Sequence, residues 1–286
     1  MFKWILQKLR GGPRTVQLPG YTPLGTIREG SMSIIFRARH RQTGRIVAVK
    51  VHKPEARRAV ARLEARYRGL TEGQITALFD HPNVIRCFDH GNLAGTPYLV
   101  LEYLEGLTLA SLMAGDSKRL EGQRLAYLRQ GAVALAHVHT KRIVHHDFCP
   151  KNLFVTNEDR VVLTDFGLAT PLPDKPTVGS RMGTVEILAP EVLRREPSDH
   201  RVDVFAWGVV AYEVLSGRWP FESTEHRQML NKILNIRPVP LTRRVRNLPE
   251  DVANVIMRCL EKDPAKRPSH MSTPLGVLER YQEARF

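Results

Sequence analysis

Short stretches of alternating apolar and polar residues, separated by turn residues, dominate the first third of the chain. They predict β-strands over residues 26–29, 34–38, 46–51, 84–90 and 98–101. Gly30 and the triplet Gln42-Thr43-Gly44 carry the turn signals between the first three strands. The pattern therefore predicts a small sheet near the start of the chain.

The rest of the chain is patterned mainly for helices. Residues 57–78 are mainly helical in pattern, and a helix over 123–139 has one buried face, marked by Leu125, Leu128, Leu135 and Val138. The stretch 202–215 is apolar nearly all round, which is typical of a helix buried in a large core. Asp203 lies at its start, where an unpartnered carboxylate would cost several kcal/mol. Helices predicted over 225–235, 251–260 and 275–284 complete an all-helical half.

The first ten residues combine helical apolar spacing with basic residues. Phe2, Ile5, Leu6 and Leu9 fall on one side, with lysine and arginine mostly opposite. Two interpretations stay open: a basic amphipathic helix that lies on an anionic membrane or docks on a partner, and a cap or frayed end of the chain's own domain. A linker rich in glycine and proline follows over residues 11–23. We expect no secretory signal, because no small-residue cleavage site follows.

Composition is typical of a soluble globular protein. With 286 residues, 42% of them hydrophobic and 25% charged, the chain can bury a sizeable core in one or two domains. No apolar stretch approaches about twenty residues, so we expect no membrane span. Cys87, Cys149 and Cys259 are far apart and odd in number, which argues against a disulfide framework or a structural zinc site. A reducing, cytoplasmic setting is the simplest interpretation.

The chain is strongly basic, with a net charge of +14 and a pI of about 10.1. Such a balance is typical of proteins with an anionic partner: nucleic acid, acidic peptide or lipid surface. The alternative is a solvated arginine-rich surface. Aromatic residues are not interleaved with the arginines, which favours this alternative over single-strand nucleic-acid binding. We therefore expect no nucleic-acid partner.

Candidate chemistry is concentrated in one octet, residues 145–152, which reads His-His-Asp-Phe-Cys-Pro-Lys-Asn. It places a candidate proton acceptor, Asp147, five residues before a candidate metal ligand, Asn152. A second carboxylate, Asp165, follows in the triplet Asp-Phe-Gly. Mg²⁺ prefers hard oxygen ligands and keeps several waters, so one carboxylate and one amide oxygen can serve as its protein ligands.

The octet resembles the catalytic loop of eukaryotic-type (Hanks-type) serine/threonine protein kinases, in the form of a divergent, bacterial-like member. The resemblance rests on an ordered series: VAVK at 47–50, Glu72, HPN at 81–83, LEY at 101–103, the octet, DFG at 165–167, APE at 189–191, DVFAWG at 203–208 and KDPxxRP at 262–268. It covers roughly residues 24–280. It implies an α+β, two-lobed, protein-kinase-like fold. A small antiparallel sheet lobe with helix αC would span 24–103 and a larger, mainly helical lobe 104–286, after the basic segment and linker 1–23.

The resemblance also implies roles for single residues. Lys50 would bind the α and β phosphates of ATP, and Glu72 would orient that lysine. Asp147 would accept or orient the proton of a substrate hydroxyl. Asn152 and Asp165 would hold Mg²⁺.

Further residues are implied to bind the cofactor: Gly30, Ile27, Ile35, Ala48, Leu101, Glu102, Leu104 and Leu153. Leu101 takes the gatekeeper position, and residues 102–104 form the adenine edge. Two supporting contacts are implied as well. Asp203 would hold the backbone of the catalytic loop, and Arg267 would pair with Glu191.

Departures from the family pattern bear on separate functions. Arg28 and Ser33 occupy two of the three glycine positions of the glycine-rich loop, and only Gly30 is retained. His146 replaces the arginine that normally receives an activation-loop phosphate, and a mostly neutral imidazole cannot grip a phosphate bidentately. We therefore predict that activity does not depend strongly on phosphorylation; the candidate sites are Thr170, Thr177 and Ser180.

Cys149 replaces the lysine that usually contacts the γ phosphate. Lys151, two residues on, either restores the missing charge or is an ordinary exposed loop lysine. Cys149 is either a reactive thiol, with a pKa lowered by local lysines, or an inert small residue. Its acidic, metal-binding neighbourhood opposes a lowered thiol pKa and favours the inert residue.

Two functions are compatible with these residues, and a third, a basic module that recruits nucleic acid or anionic membrane, is compatible with either of them. The leading one is an ATP- and Mg²⁺-dependent serine/threonine protein kinase that transfers the γ-phosphate to hydroxyls of a protein substrate; Thr184 and Pro150 follow the serine/threonine pattern. The alternative is a pseudokinase that serves as a nucleotide-binding or scaffolding partner. Either would be cytoplasmic, and docking through residues 1–10 would add a peripheral membrane location.

Overall fold

The structure, a computed structural model, describes residues 18–30, 33–53, 70–93, 95–115, 117–178 and 183–281. These residues form two compact units. The first unit contains described residues up to 80 together with 85–105, and the second contains 81–84 together with those from 106 onward. The terminal segment 1–10 and most of the helix predicted over 57–78 lie outside the described residues. The domain boundaries expected from the sequence stay predictions.

The first unit is built on a five-stranded antiparallel sheet. Its strands are β1 (Tyr21–Glu29), β2 (Ser33–His40), β3 (Ile46–His52), β4 (Cys87–Leu93) and β5 (Thr96–Glu102), in the order β1-β2-β3-β5-β4. One short helix, α1 (Glu72–Thr76), is described in this unit. It begins with a capping box: the amide of Gln74 donates to Thr71 Oγ1, and the amide of Thr71 donates to Gln74 Oε1. This cap fixes Glu72 as the first residue of the helix.

Strand alternation decides which side chains enter the core of the first unit. The buried cluster consists of Leu18, Phe36, Ala38, Val47, Val49, Val51 and Val100. Successive strand residues point to opposite faces, so the residues between these point away from the cluster. Ile35, Ala48, Lys50 and Leu101 therefore share the other face. The register pairs Ile35 with Lys50 and Ala48 with Leu101.

The second unit is mainly helical. Its described helices are α2 (Leu109–Gly115), α3 (Ser117–Leu120), α4 (Arg124–Thr140), α5 (Pro190–Arg194), α6 (Arg201–Ser216), α7 (His226–Asn235), α8 (Glu250–Cys259) and α9 (Ser272–Leu278). Short 3₁₀ turns lie at Val185–Ile187, Leu241–Arg243, Pro264–Lys266 and Glu279–Tyr281. None of the helices in the described ranges is long and apolar enough to cross a bilayer.

Short antiparallel ladders complete the second unit. Their strands are β6 (Gly106–Thr108), β7 (Ile143–Val144), β8 (Leu153–Thr156), β9 (Val161–Leu163), β10 (Thr170–Pro171), β11 (Thr177–Val178) and β12 (Pro197–Ser198). Strands β6, β8 and β9 form one ladder in the order β6-β8-β9, β7 pairs with β10, and β11 pairs with β12. These ladders bracket the octet, which lies between β7 and β8.

Helix α6 lies at the centre of the second unit's core. Trp207 is fully buried, and its Nε1 donates to the backbone oxygen of Leu128 on α4 at 3.2 Å. Gly208 permits close contact with α8, since a Cβ at that position would lie 2.7 Å from the Cβ of Cys259. A helix packed on all sides buries the residues of its first turn as well. The carboxylate of Asp203 is therefore enclosed and must find donors.

Most predicted elements are confirmed, with ends shifted by a few residues, but three starts are wrong. Strand β1 begins at Tyr21 rather than at residue 26, so residues 21–23 of the predicted linker belong to the sheet, where they pair with β2. The strand predicted over 84–90 begins only at Cys87, because Val84 belongs to the second unit, where it bridges to Leu163. The helix predicted over 275–284 begins at Ser272 and is followed by a 3₁₀ turn over Glu279–Tyr281, and residues 282–284 lie outside the described residues. Its start was missed because Pro274 lies in the first turn, where a proline is tolerated although the residue usually marks a break.

Candidate active site

The backbone of the octet is fixed by one buried carboxylate. Asp203 Oδ2 accepts a hydrogen bond from the amide of His145 at 2.8 Å, and Oδ1 accepts one from the amide of His146 at 2.9 Å. The Nε2 of His139, on α4, lies 2.9 Å from the same Oδ2. Burial raises the pKa of Asp203, but the hydrogen bond and charge of His139 outweigh burial and lower the pKa to about 2. The expectation that Asp203 holds this loop is confirmed.

Asp147 is held from two sides within this loop. Its Oδ1 accepts the amide of Thr184 at 3.1 Å, and its Oδ2 accepts Nδ2 of Asn152 at 2.9 Å. Its own amide donates to Nδ1 of His145 at 3.2 Å. A carboxylate offers about four acceptor sites, so two bonds leave capacity for a further donor such as a hydroxyl. The half-buried side chain is thus oriented without being saturated.

The turn before Thr184 depends on a glycine. Gly183 has a φ of +106°, which side-chain-bearing residues rarely adopt. A Cβ at this position would lie 3.2 Å from Asp147 Oδ1. Gly183 therefore permits the approach that lets the Thr184 amide reach the carboxylate.

The two predicted metal ligands belong to one local frame. Nδ2 of Asn152 donates both to Oδ2 and to the backbone oxygen of Asp147, each at 2.9 Å, which presents the amide oxygen away from that residue. The backbone oxygen of Asn152 accepts the amide and the hydroxyl of Thr164, at 2.8 and 3.0 Å. Asp165 follows directly, with a φ of +63° and an exposed side chain. Its Oδ1 accepts the amide of Gly167 at 3.3 Å.

His146 links the octet to the strand that follows the Asp-Phe-Gly triplet. It adopts a φ of +66°, and its Nε2 lies 2.9 Å from the hydroxyl of Thr170 on β10. Burial lowers the pKa of His146, which keeps the ring neutral near pH 7. Thr170 is buried by this contact, whereas Thr177 is exposed on β11. Ser180 lies outside the described residues.

The two unusual positions of the octet differ in exposure. Cys149 is buried, and burial followed by the charge of Asp147 raises the pKa of its thiol to about 11. The thiol is therefore protonated at neutral pH, in line with an inert small residue. Lys151 is exposed and borders a cavity of about 420 Å³, together with Cys149, Thr184 and Glu213.

In the first unit, the predicted cofactor residues share the sheet face that points away from the core. Lys50 is buried on this face, and Ile35, Ala48 and Leu101 are half-buried. The Nζ of Lys50 donates to Oε1 of Glu72 on α1 at 2.7 Å, with about 8% of each side chain exposed. The pairing of Lys50 with Glu72 expected from the sequence is thus observed.

The predicted adenine edge lies at the end of β5, where Glu102 and Leu104 are half-buried. Leu153 belongs to the second unit, where it is buried on β8 and pairs with Leu163. The predicted cofactor residues on the sheet thus belong to the first unit, and Leu153 belongs to the second.

The segment that resembles a glycine-rich loop begins in β1. Ile27 lies in this strand, and its side chain is outside what the structure describes. Arg28 is exposed and pairs with Ile35, so it stands on the same rung of the sheet as Lys50. The amide of Gly30 donates to the backbone oxygen of Ser33 at 2.9 Å, which makes the hairpin connection.

Comparison with known proteins agrees with this arrangement. Residues 21–275 match the family model described as the protein kinase domain. This chain belongs to the protein kinase family. The kinase domain is 34% identical over 256 residues to the serine/threonine-protein kinase pkn2 of Myxococcus xanthus, covering 86% of this chain and 30% of that protein.

Two further relatives are similar. The serine/threonine-protein kinase PrkC of Bacillus subtilis is 30% identical over 249 residues, covering 86% of this chain and 38% of that protein. A probable serine/threonine-protein kinase of Clostridium perfringens is 31% identical over 266 residues, covering 92% of this chain and 38% of that protein. The kinase domain thus spans about a third of the length of these relatives.

A buried ion pair of the kinase domain bears out another expectation. The guanidinium of Arg267 donates to both oxygens of Glu191, at 2.6 and 2.7 Å, and both side chains are almost completely buried. Paired N–H groups match a carboxylate bidentately, which makes this a strong charge-assisted contact. The pair ties α5 to the segment before α9.

Several residues that position the site were missed from the sequence. His139 lies on α4 and reaches Asp203 only through the packing of α4 on α6. Thr184 acts on Asp147 through its backbone amide, which no side-chain pattern reveals. In the first unit, Nε2 of His52 lies 3.3 Å from Oε2 of Glu72, and Gly73 packs against His90. Among these residues, only His52 carries a readable signal in the sequence: it follows Lys50 by two residues and therefore shares its face of the strand.

Proposed function

We propose that this kinase domain acts as a serine/threonine protein kinase that transfers the γ-phosphate of ATP to protein hydroxyls in the presence of Mg²⁺. The observation that carries the proposal is the ordered octet, in which Asp147 is oriented by Thr184 and Asn152 and keeps acceptor capacity. Phosphoryl transfer asks a protein chiefly for positioning and charge stabilisation. The names of the relatives support the same activity.

The residues present fit a magnesium nucleotide. The amide oxygen of Asn152 is presented away from Asp147, and the carboxylate of Asp165 is exposed, so each offers a hard oxygen. No group of three or more histidine, cysteine or acidic side chains close enough to hold a metal occurs among the described residues, and Mg²⁺ commonly takes the remaining ligands from phosphates and water. When bound, Mg²⁺ would supply positive charge to the phosphates.

The chain's own residues would divide the remaining work. Lys50, held by Glu72, would contact the α and β phosphates. Asp147 would accept a hydrogen bond from the substrate hydroxyl at a free lone pair and take up its proton during transfer. Ile27, Ile35, Ala48, Leu101, Glu102, Leu104, Leu153 and Gly30 would contact the nucleotide.

We propose that Lys151 replaces the cation lost at Cys149. Lys151→Ala should lower the rate of phosphoryl transfer at least about tenfold, because the lost cation stabilises the transition state. The matched control is Lys141→Ala, which removes another exposed lysine at the end of α4. Equal rates for the two variants would show that Lys151 is an ordinary loop lysine.

We also propose that the domain needs no phosphate switch. The bond between His146 and the Thr170 hydroxyl supports this, because it links the octet to β10 through neutral groups. With a neutral histidine at position 146, the octet has no arginine there to receive an activation-loop phosphate. Catalytic geometry would then be complete in the unmodified chain.

One experiment tests the proposed activity. Labelled ATP is supplied with Mg²⁺ and a generic basic protein, and transfer by the wild type is compared with Asp165→Asn and with Asp174→Asn, which changes an exposed aspartate paired with Arg142. Transfer that is lost only in Asp165→Asn supports the kinase. Absent transfer in the wild type, with no thermal shift from Mg-ATP, would refute the proposal and indicate a scaffold.

We place the domain in the cytoplasm, and residues 1–10 would be its contact with an anionic membrane or a partner. The basic, amphipathic spacing of that segment supports this assignment. Vesicle binding that is unchanged on removal of residues 1–10 would exclude the membrane contact.

A further inference from the structure

The carboxylate of Glu72 is shared between two residues of β3. Its Oε1 accepts Nζ of Lys50 at 2.7 Å, and its Oε2 lies 3.3 Å from Nε2 of His52. Lys50 and His52 are two positions apart on one strand, so both face the same side of the sheet. The three side chains are each about 8% exposed or less. A polar side chain buried this deeply needs a polar partner, and among the described residues Oε2 of Glu72 is the polar atom that Nε2 of His52 approaches.

The helix that carries Glu72 lies unusually close to the sheet. Gly73 follows Glu72 and is buried against His90 of β4. A Cβ at Gly73 would lie 2.5 Å from the Cβ and 2.7 Å from the Cγ of His90, distances that real Cβ atoms essentially never show. Any larger residue at position 73 would therefore push α1 away from β4.

We propose that His52 and Gly73 are positioning residues for the pair formed by Lys50 and Glu72. His52 holds the second oxygen of Glu72, and Gly73 sets how closely α1 approaches the sheet. Together they keep Glu72 within reach of Lys50 in the protein without nucleotide. The consequence for phosphate binding rests on the proposed function, in which Lys50 contacts the phosphates of ATP.

The first test needs no nucleotide. Urea unfolding midpoints are compared for the wild-type chain, His52→Leu, Glu72→Ala and the double variant. Residues that act through each other are non-additive, so the double variant should lose less than the sum of the two single losses. Additive losses would overturn the role of His52.

The second test separates positioning from packing. Affinities are measured for Mg-ADP and for adenosine, which lacks the phosphates. His52→Leu and Gly73→Ala should each weaken Mg-ADP about tenfold while leaving adenosine within about twofold, since only the phosphates depend on Lys50. His52→Gln, which keeps a nitrogen donor, should restore most of the affinity. Equal weakening of both ligands would mean that the two residues merely support the fold.

Matched glycines control the Gly73 variant. Gly276 lies in α9, where a Cβ would meet nothing within 4 Å, so Gly276→Ala should leave Mg-ADP affinity unchanged. Gly73→Ala combined with His90→Gly removes the clash and should recover the affinity; failure to recover would overturn the role of Gly73. If wild type and Lys50→Ala bind Mg-ADP equally, the proposed function fails, and the urea cycle still decides whether His52 acts on Glu72.

Discussion

Replacing Asp203 by asparagine isolates the charge that holds the octet in place. The substitution keeps the size and shape of the side chain. It converts one of the two acceptor oxygens into an amide group that only donates. Because the carboxylate faces the amides of His145 and His146, one of these buried donors would then face another donor.

The structure sets the magnitude of this loss. The pKa of Asp203 is lowered from 3.8 to about 2, a difference that corresponds to about 2 kcal/mol. A buried amide left without an acceptor adds about 1–3 kcal/mol. We therefore expect Asp203→Asn to lose about 3–5 kcal/mol in the free energy of unfolding. A depressed carboxylate pKa stabilises the fold above the unfolded value near 3.8 and ceases to do so as the pH falls through about 2, so the full contribution is present at pH 7.

Urea unfolding at pH 7, followed by tryptophan fluorescence, measures this loss. Trp207 lies one turn after Asp203 on α6 and is fully buried, so its emission reports on the relevant core. The control is Asp199→Asn, which changes a half-buried aspartate bonded to Arg201 outside the octet and should cost about 1 kcal/mol or less. If Asp203→Asn costs no more than the control, the carboxylate does not hold the loop as argued.

Four other changes test further contacts of the second unit. Arg267→Met should cost about 3–5 kcal/mol in urea unfolding, because Glu191 is left buried without its partner; a loss below about 1 kcal/mol would contradict this. Burial, followed by a neighbouring carboxylate, raises the pKa of Glu213 to about 7, so stability present below pH 4.5 is lost as the pH rises through 7. Glu213→Gln should therefore be about 1–2 kcal/mol more stable than wild type at pH 8, after discounting for solvent, and this gain should vanish near pH 4. Phosphatase treatment should leave the transfer rate unchanged, and Thr170→Val should cost about 0.5–1.5 kcal/mol by removing the bond to His146; a rate abolished by phosphatase would contradict the proposed regulation.

The fold was largely predictable because its signals are periodic or motif-based. Alternation in β2 and β3 and the apolar sequence of α6 each report burial directly, and both were assigned correctly apart from their ends. The unit to which a residue belongs, in contrast, leaves no periodic signal in the sequence. Val84 is as apolar as a strand residue, but it belongs to the second unit, where it pairs with Leu163 of the same unit, and no local pattern indicates this.

The candidate site divides in the same way. Residues that act through side chains in a motif, such as Asp147 and Lys50, were identified from the sequence. Contacts made by a backbone amide, as at Thr184, or by the space beside a glycine, as at Gly73, leave no such pattern. His139 was missed because its partner, Asp203, is distant in sequence and close only in the folded core.

The two-sided character of β3 restricts how this chain can change in length. Removing one residue before Lys50 would exchange the faces of all that follow, turning the ammonium group into the valine cluster and an apolar side chain toward Glu72. Removing two would restore the faces but displace Lys50 by about 7 Å along the strand, beyond the reach of the carboxylate. Insertions and deletions in this family member should therefore be confined to the turn at 41–45, while β3 itself changes by substitution alone.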